Sequence, residues 1–336
     1  MIIEGPDLKP GEALRVGVIG TGYLGHFHAQ KLRAMAGVEL TGVADQNPQR
    51  ARAVGRELGV ADFADFRDLL PRLHAAIIAV PTVAHFGVAR ECLEAGVHIL
   101  LEKPMTATLP EADALIALAE DRGRVLQVGH LKRFHPAVLA LQDSGLLKTP
   151  RFIESARLAP FKNRALDVDV ILDLMIHDVD LILNFIGAEV EVVAVEAIGA
   201  PVVTRHIDLA NARLKFANGT VATITASRVA REATRRIRLF QDDAFISLDF
   251  ITKDIHLVRR RNGPMALDGA TADTFTPEVI PIRDHDTLEA EVRAFCAAVR
   301  QGRPPVVSGH EGRRALQVVE AIRSTVAQFA RQAALL

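Results

Sequence analysis

Tryptophan is absent and Tyr23 is the only tyrosine among 336 residues. The chain therefore lacks the aromatic platforms that grip sugar rings or single-stranded bases, and any stacking falls to phenylalanine. Cysteine is nearly absent as well: Cys92 and Cys296 stand alone, with no CxxC spacing. This excludes a disulfide framework and a thiolate-held zinc or iron–sulfur centre, and it fits a reducing, cytoplasmic compartment. Neither charge is in excess, since 40 lysines and arginines face 41 aspartates and glutamates for a formal net charge of -1. No overall field draws the protein to nucleic acid or an acidic membrane, so any anionic ligand must be held by a local cluster. Nor is there a charge-free run of about 20 residues able to span a bilayer. The stretch from Met1 to Ala13 is acidic and proline-containing, so neither a membrane segment nor an export signal is expected.

What is present is globular: 49% of residues are apolar and 24% charged. A chain of this length most often folds as two domains. In the first third, Leu14 to Ile19, Val38 to Ala44, Ala75 to Val80, Val97 to Leu101 and Val125 to Val128 are continuous apolar runs that read as buried strands. Between them, Tyr23 to Met35, Pro48 to Leu58, Ala84 to Ala95 and Pro110 to Asp121 repeat apolar residues at three and four, as helices do. Gly59, Gly96 and Gly123 sit where helix ends take left-handed residues. Strands alternating with helices predict an α/β, doubly wound parallel sheet over residues 1–129.

After Gly129 the pattern changes. A helix from Pro136 to Gln142, a strand from Arg151 to Leu158 and a helical stretch from Val170 to Phe185 precede a series of alternating strands. These run Val190 to Ile198, Asp208 to Phe216, Thr220 to Arg228, Arg235 to Phe240, Phe245 to Phe250 and Asp254 to Arg260. Asn218-Gly219 between two of them signals a hairpin. Residues 130–308 are expected to form an α+β domain with an open, largely antiparallel sheet. Thr287 to Arg300 and Gly309 to Arg331 read as helices, the last of them (309–336) packing back on the first domain. The open sheet face calls for a cover, and a homodimer or homotetramer burying apolar side chains between Val190 and Phe250 is expected. Arg228, Arg231, Arg235, Arg236 and Arg238 read as the solvent side of these strands.

Gly20-Thr21-Gly22-Tyr23-Leu24-Gly25 follows the first strand and opens the first helix, and Asp45 ends the second strand twenty positions after Gly25. Glycines here allow a tight turn, close approach of backbone to a pyrophosphate, and close packing of helix on sheet. Asp45 suits the ribose hydroxyls of the adenosine and repels a 2′-phosphate, which favours NAD over NADP. Arg50 reads as a solvated charge on the second helix, although it could turn toward a phosphate. Pro81 and Thr82, at the end of the fourth strand, face the nicotinamide side by position in such a fold.

Val80-Pro81-Thr82-Val83-Ala84-His85, Ala95-Gly96-Val97-His98, Glu102-Lys103-Pro104 and Asp173-Leu174-Met175-Ile176-His177 resemble the glucose-fructose oxidoreductase, inositol dehydrogenase and MocA family. Asp286 to Glu291 and Ser308 to Leu316 extend the likeness to the closing helix. Within that family, Val128 to Pro136 and Arg157 to His177 are most similar to enzymes that oxidise UDP-N-acetylglucosamine at its 3-hydroxyl. The resemblance implies an NAD-dependent dehydrogenase of a nucleotide sugar. Two rivals are a dehydrogenase of a free sugar or cyclitol and a regulatory protein that binds NAD without turnover.

Hydride removal from an alcohol needs a group to take the hydroxyl proton and a cation to steady the developing alkoxide. By resemblance His177 accepts the proton, Lys103 is its electrostatic partner and Asp173 orients it or binds substrate; Lys103 as the base remains open. Asp173 and His177, four apart, would share one helical face. The same resemblance sets Glu102, Lys103 and Arg133 beside the cofactor. Arg157, Lys162 and Arg164 form a basic cluster suited to a diphosphate, so that Lys103, Arg157, Lys162, Arg164, Asp173 and His177 make up the expected substrate site. Asp173, His177 and Asp180 superficially suggest a metal site, but no further ligand spacing accompanies them and no metal is expected. His28, His85 and His98 are expected to be structural.

Overall fold

The computed structural model describes residues 8, 9, 11–161, 168–260 and 275–332. The chain divides into two compact units. Met1–Leu131 with Asp286–Leu316 form the first, and Lys132–His285 with Gln317–Leu336 the second.

In unit 1 the apolar runs become β1 (Leu14–Ile19), β2 (Val38–Ala44), β3 (Ala61–Phe63), β4 (Ala75–Ile78), β5 (His98–Glu102) and β6 (Leu126–Gly129). They pair in the order β3-β2-β1-β4-β5-β6, all parallel. The order reverses at β1, which opens a crevice beyond the strands' C-terminal ends where such sheets take ligands. The crossovers are α1 (Tyr23–Ala34), α2 (Pro48–Leu58), α3 (Thr82–Glu94) and α4 (Leu109–Asp121). Asn47 caps α2 with its side-chain oxygen, and Thr108 and Glu111 cap α4 reciprocally. The three-residue β3 escapes sequence reading because it is mostly exposed and carries no apolar run.

The domain expectation needs correction at its far end. α7 (Thr287–Gln301) belongs to unit 1, where Val292, Phe295, Cys296 and Val299 join the core of β1, β2 and α1. Of α8 (Gly309–Gln332) only the part up to Leu316 belongs there; Gly312 lies against Val128 and Arg313 pairs with Asp113. The remainder belongs to unit 2, where Arg323 bonds Asp169 at 2.8 Å.

Unit 2 holds α5 (Pro136–Asp143), β7 (Phe152–Leu158), a π-turn (Ile171–Met175) running into α6 (Ile176–Ile186), then β8 (Val192–Ala200), β9 (Leu209–Phe216), β10 (Val221–Ser227), β11 (Thr234–Phe240), β12 (Ala244–Asp249), β13 (Ile255–Arg260) and β14 (Phe275–Val279). The eight strands run β14-β13-β12-β11-β7-β10-β9-β8, antiparallel except where β7 meets β10. Gly219, at a φ of 86°, turns the expected β9–β10 hairpin. α6 carries nine buried residues and packs against β7 and β10, so it covers one face of the sheet. The other face is polar at its centre, with Glu154, Thr223, Thr225, Thr234, Arg236 and Arg238 lining a groove. Exposed apolar side chains gather instead around β8, at Val193, Ile198, Val202 and Val203.

Candidate active site

At the crevice of unit 1 the turn from β1 into α1 closes on itself. A Cβ on Gly25 would stand 1.8 Å from the Gly20 carbonyl oxygen, and one on Gly20, at a φ of +91°, would stand 2.5 Å from that of Ala79. Both positions are fixed by helix and strand packing. Gly22 differs, because a Cβ there would meet nothing within 4 Å. The backbone is thus bare at the N-terminus of α1, which has no side-chain cap and no acidic residue in its first turn. Unsatisfied N–H groups and the positive end of the helix face that opening, as a pyrophosphate requires. Thr21, Gly22, Tyr23 and Arg50 share one recess there, and Leu24 is half-exposed beside them.

Asp45 is fixed by this turn. Its carboxylate accepts from the Thr21 amide at 2.8 Å, the Thr21 hydroxyl at 3.0 Å and the Asn47 amide at 2.9 Å. Burial alone would raise its pKa, but these donors and Arg50 outweigh burial and hold it below the usual carboxylate value. A carboxylate accepts about four hydrogen bonds, so capacity remains for a ribose hydroxyl. Arg50 stays more than half exposed, with Nη1 3.8 Å from Asp45. The residues present therefore fit a dinucleotide with a free 2′-hydroxyl.

Lys103 follows β5 and is half-buried, with a cis peptide to Pro104. His85 pins this turn: Nδ1 lies 2.9 Å from the Pro104 carbonyl and Nε2 2.9 Å from that of Val80, just before Pro81 and Thr82. Burial lowers the His85 pKa, and a neutral imidazole donates to one carbonyl at a time. His98 is structural, its Nδ1 accepting from the Val125 amide. Glu102 corrects an expectation. Its carboxylate turns inward to His28 Nε2 at 2.7 Å and does not face the crevice as a cofactor ligand would. Glu291 completes a buried trio with them, all three ligand atoms lying within 4.8 Å of one another. Burial and the nearby Glu102 raise the Glu291 pKa well above the ordinary value, whereas Glu102, bonded to His28, is lowered despite its own burial.

In unit 2, a cavity of about 220 Å³ is lined by Lys132, Arg157, Asp173, His177, Arg228 and Arg235, with Ala159, Pro160, Leu174 and Ala233 between them. Asp173 sits in the π-turn and His177 in the first turn of α6, so the expected single α-helical face is in fact a π-to-α junction. The wider π-turn still brings both to one cavity, and such turns recur at functional sites. The neighbouring acids are engaged elsewhere. Asp178 accepts two 2.7 Å bonds from Arg157, and Asp180 accepts from Arg133 Nε and Nη2 at 2.9 and 2.8 Å.

These pairs bear on two further expectations. Arg133 is 5% exposed and also bonds Asn184, so its guanidinium clamps β6's outgoing loop to α6 and is not spread beside a cofactor. Arg157 borders the cavity, but its charge is matched by Asp178 in the interior. Lys162 and Arg164 lie outside the described residues. The cations that do line the cavity include three that sequence reading missed or misplaced: Lys132, Arg228 and Arg235. The signal for Arg235 was present in strand parity, because Ile237 and Leu239, two and four residues on, are both fully buried. Arg228 donates to the Val168 carbonyl at 2.7 Å and lies 3.8 Å from Asp208. Burial would raise Asp208, but three backbone amides and the Thr204 hydroxyl hold it at about 2.

Residues 14–130 match the family described as an oxidoreductase family with an NAD-binding Rossmann fold, and residues 143–247 match the C-terminal domain of the same GFO/IDH/MocA group. The chain belongs to the GFO/IDH/MocA oxidoreductase family. Its members here include the UDP-N-acetylglucosamine 3-dehydrogenase of Acidithiobacillus ferrooxidans, 44% identical over 94% of this chain and 98% of that one. A solved structure of that enzyme superposes with a TM-score of 0.88 over the same shares. The NAD(+)-dependent scyllo-inositol 2-dehydrogenase of Bacillus subtilis is 27% identical over 88% of this chain and 89% of its own. Family membership makes the chain an NAD-binding oxidoreductase. Among the described residues no helix is long and apolar enough to cross a membrane.

Proposed function

We propose that the protein is an NAD-dependent dehydrogenase that oxidises the 3-hydroxyl of UDP-N-acetylglucosamine to a 3-keto sugar. The observation that carries this reading is the cationic cavity of unit 2, in which Asp173 and His177 stand among four basic side chains, taken with the 44% identity to an enzyme of that name. A free sugar or cyclitol would have no use for so many cations, whereas a diphosphate needs them. A pure sensor would have no use for an acid and an imidazole in one cavity.

Gly20, Thr21, Gly22, Tyr23, Leu24, Gly25, Asp45, Pro81 and Thr82 hold the dinucleotide, which when bound supplies the hydride acceptor. His177 takes the proton of the sugar hydroxyl, Asp173 orients the imidazole or the sugar, and Lys103 opposes the negative charge that grows on oxygen. Binding energy from the nucleotide end orients the hydroxyl that reacts. The chain works as a homodimer or homotetramer through the open sheet, with the apolar residues near β8 at the seam and the polar groove at its centre. Two buried free thiols suit the cytoplasm.

The decisive experiment incubates the protein and NAD with UDP-N-acetylglucosamine, UDP-glucose, free N-acetylglucosamine and myo-inositol, following reduced cofactor and product mass. One arm contains an aminotransferase and amino donor to draw off the ketone. Turnover of the UDP-sugar is expected. Oxidation of a free sugar or inositol alone overturns the substrate, and NAD binding without any turnover favours the sensor. Mass in solution, by light scattering, tests the oligomer.

A further inference from the structure

Lys132 enters the cavity of unit 2 from the segment after β6, and Arg235 enters it from β11. In the sheet, Arg235 is the direct antiparallel partner of Arg157 on β7. Like charges opposite one another on neighbouring strands repel. Asp178 relieves Arg157 with both of its oxygens, and Arg228 lies close to Asp208. Asp173 and His177 complete the polar lining. We propose that Lys132 is a charge-switching ligand for the substrate's diphosphate, an amine that takes up a proton from solvent as the anion enters beside Arg235.

The proposal rests on the nucleotide-sugar reading for the identity of the anion, but not for the cavity that receives it. Burial, followed by Arg157 and Arg235, drives the Lys132 pKa down to about 8, and Asp178 opposes this only in part. A diphosphate brought against the amine adds negative charge and reverses the balance. The proton moves from water to nitrogen; nothing is oxidised or reduced. With a pKa of about 8 the amine is still mostly charged at about pH 7 and mostly neutral at about pH 9, so the switch acts on the alkaline side, where loss of the proton relieves its two guanidinium neighbours in the empty site and the entering anion restores the full charge.

Calorimetric titration of the holoenzyme with UDP-N-acetylglucosamine, whose diphosphate diester does not titrate near neutrality, reads this directly. Runs in buffers of different ionisation enthalpy should show uptake approaching one proton at about pH 9 and almost none at about pH 6. K132M should lose the uptake and roughly 10–100-fold in affinity. K132R, permanently charged, should bind without uptake, which separates the switch from mere loss of fold. A second measurement needs no sugar nucleotide: acetylation of Lys132 across the pH range, read by peptide mass spectrometry, should show a midpoint near 8, moved upward by sulfate. If UDP-N-acetylglucosamine binds and reacts with no proton uptake, the switch is wrong and the substrate reading stands. If the sugar nucleotide does not bind yet sulfate moves the Lys132 midpoint, the anion seat stands and the substrate reading falls. A Lys132 midpoint near the ordinary lysine value of about 10.4, unmoved by sulfate, overturns the proposal.

Discussion

The crevice of unit 1 and the cavity of unit 2 are built to meet charge by opposite means. In unit 1 recognition is built from backbone: bare amides at Gly22, glycines that admit no Cβ, and one carboxylate tied to the same turn. In unit 2 it is built from side chains on the loop after β6, β7, α6, the end of β10 and β11, of which Arg157 and Arg228 stand against the counter-charges of Asp178 and Asp208. A backbone site is made by adjacent residues and is cheap to keep. A side-chain site is made by distant ones, and its buried charges put folding and function at risk together.

The contrast is sharpest for the reacting groups, which should cost turnover and leave the backbone-made site untouched. H177A and K103A are expected to lose roughly 10²–10⁴ in kcat while NAD affinity, by fluorescence or calorimetric titration, stays within a few-fold. Near-normal turnover in both removes the proposed proton path. The next largest effect should fall on stability. R157A strands Asp178 in the interior, where losing one partner of a buried pair typically costs ~3–5 kcal/mol, so chemical denaturation should show unit 2 weakened. A full-strength R157A would mean that Arg157 serves the cavity more than the fold.

Asp45 probes the other side of the comparison. D45A should leave the fold nearly unchanged but lose roughly tenfold or more of the preference for NAD over NADP, as a charged hydrogen bond to ribose is worth ~1.5–3 kcal/mol. Tighter binding of NADP than NAD by the unaltered protein would refute the assignment and promote Arg50. The smallest effect concerns Glu291, a buried carboxyl in unit 1 beside Glu102 and His28. Glu291 has a raised pKa in the folded state, so its contribution to stability is whole below the unfolded value of about 4.5 and is lost as pH climbs toward the folded value. E291Q should therefore melt as the parent does at about pH 4 and roughly 2–4 °C higher at about pH 8, the shift that ~1 kcal/mol gives in a unit of this size. A gain independent of pH would show that Glu291 is ionised in the fold.

The same contrast explains what could be read in advance. β1, β2 and α2 begin and end where apolar runs and proline place them, because a mostly buried strand is a nearly continuous apolar run whose limits are set by the turn residues around it. The glycine turn and Asp45 are local in sequence and were legible together. The side chains of Arg133, Arg157 and Glu102 share one feature that sequence reading did not see: each is claimed by a partner far along the chain, at Asp180, Asp178 and His28, although Arg157 still lines the cavity as expected. Composition gives no hint of such pairings. Arg235 is the instructive case, since strand parity already assigned it to the buried face while its charge argued for solvent.

The two bidentate pairs that follow His177 on α6 have a mechanical meaning. Asp178 is fastened to β7 and Asp180 to the loop ahead of α5, so the start of α6 is bolted at two points on either side of its axis. Rolling or sliding the helix would have to tear at least one bolt, at ~3–5 kcal/mol, which leaves roughly one molecule in a hundred or fewer with the imidazole out of place. A proton acceptor, the role proposed for His177, must be set to within a fraction of an ångström, and here that tolerance is machined by two buried ion pairs, of which only Arg157 borders the cavity.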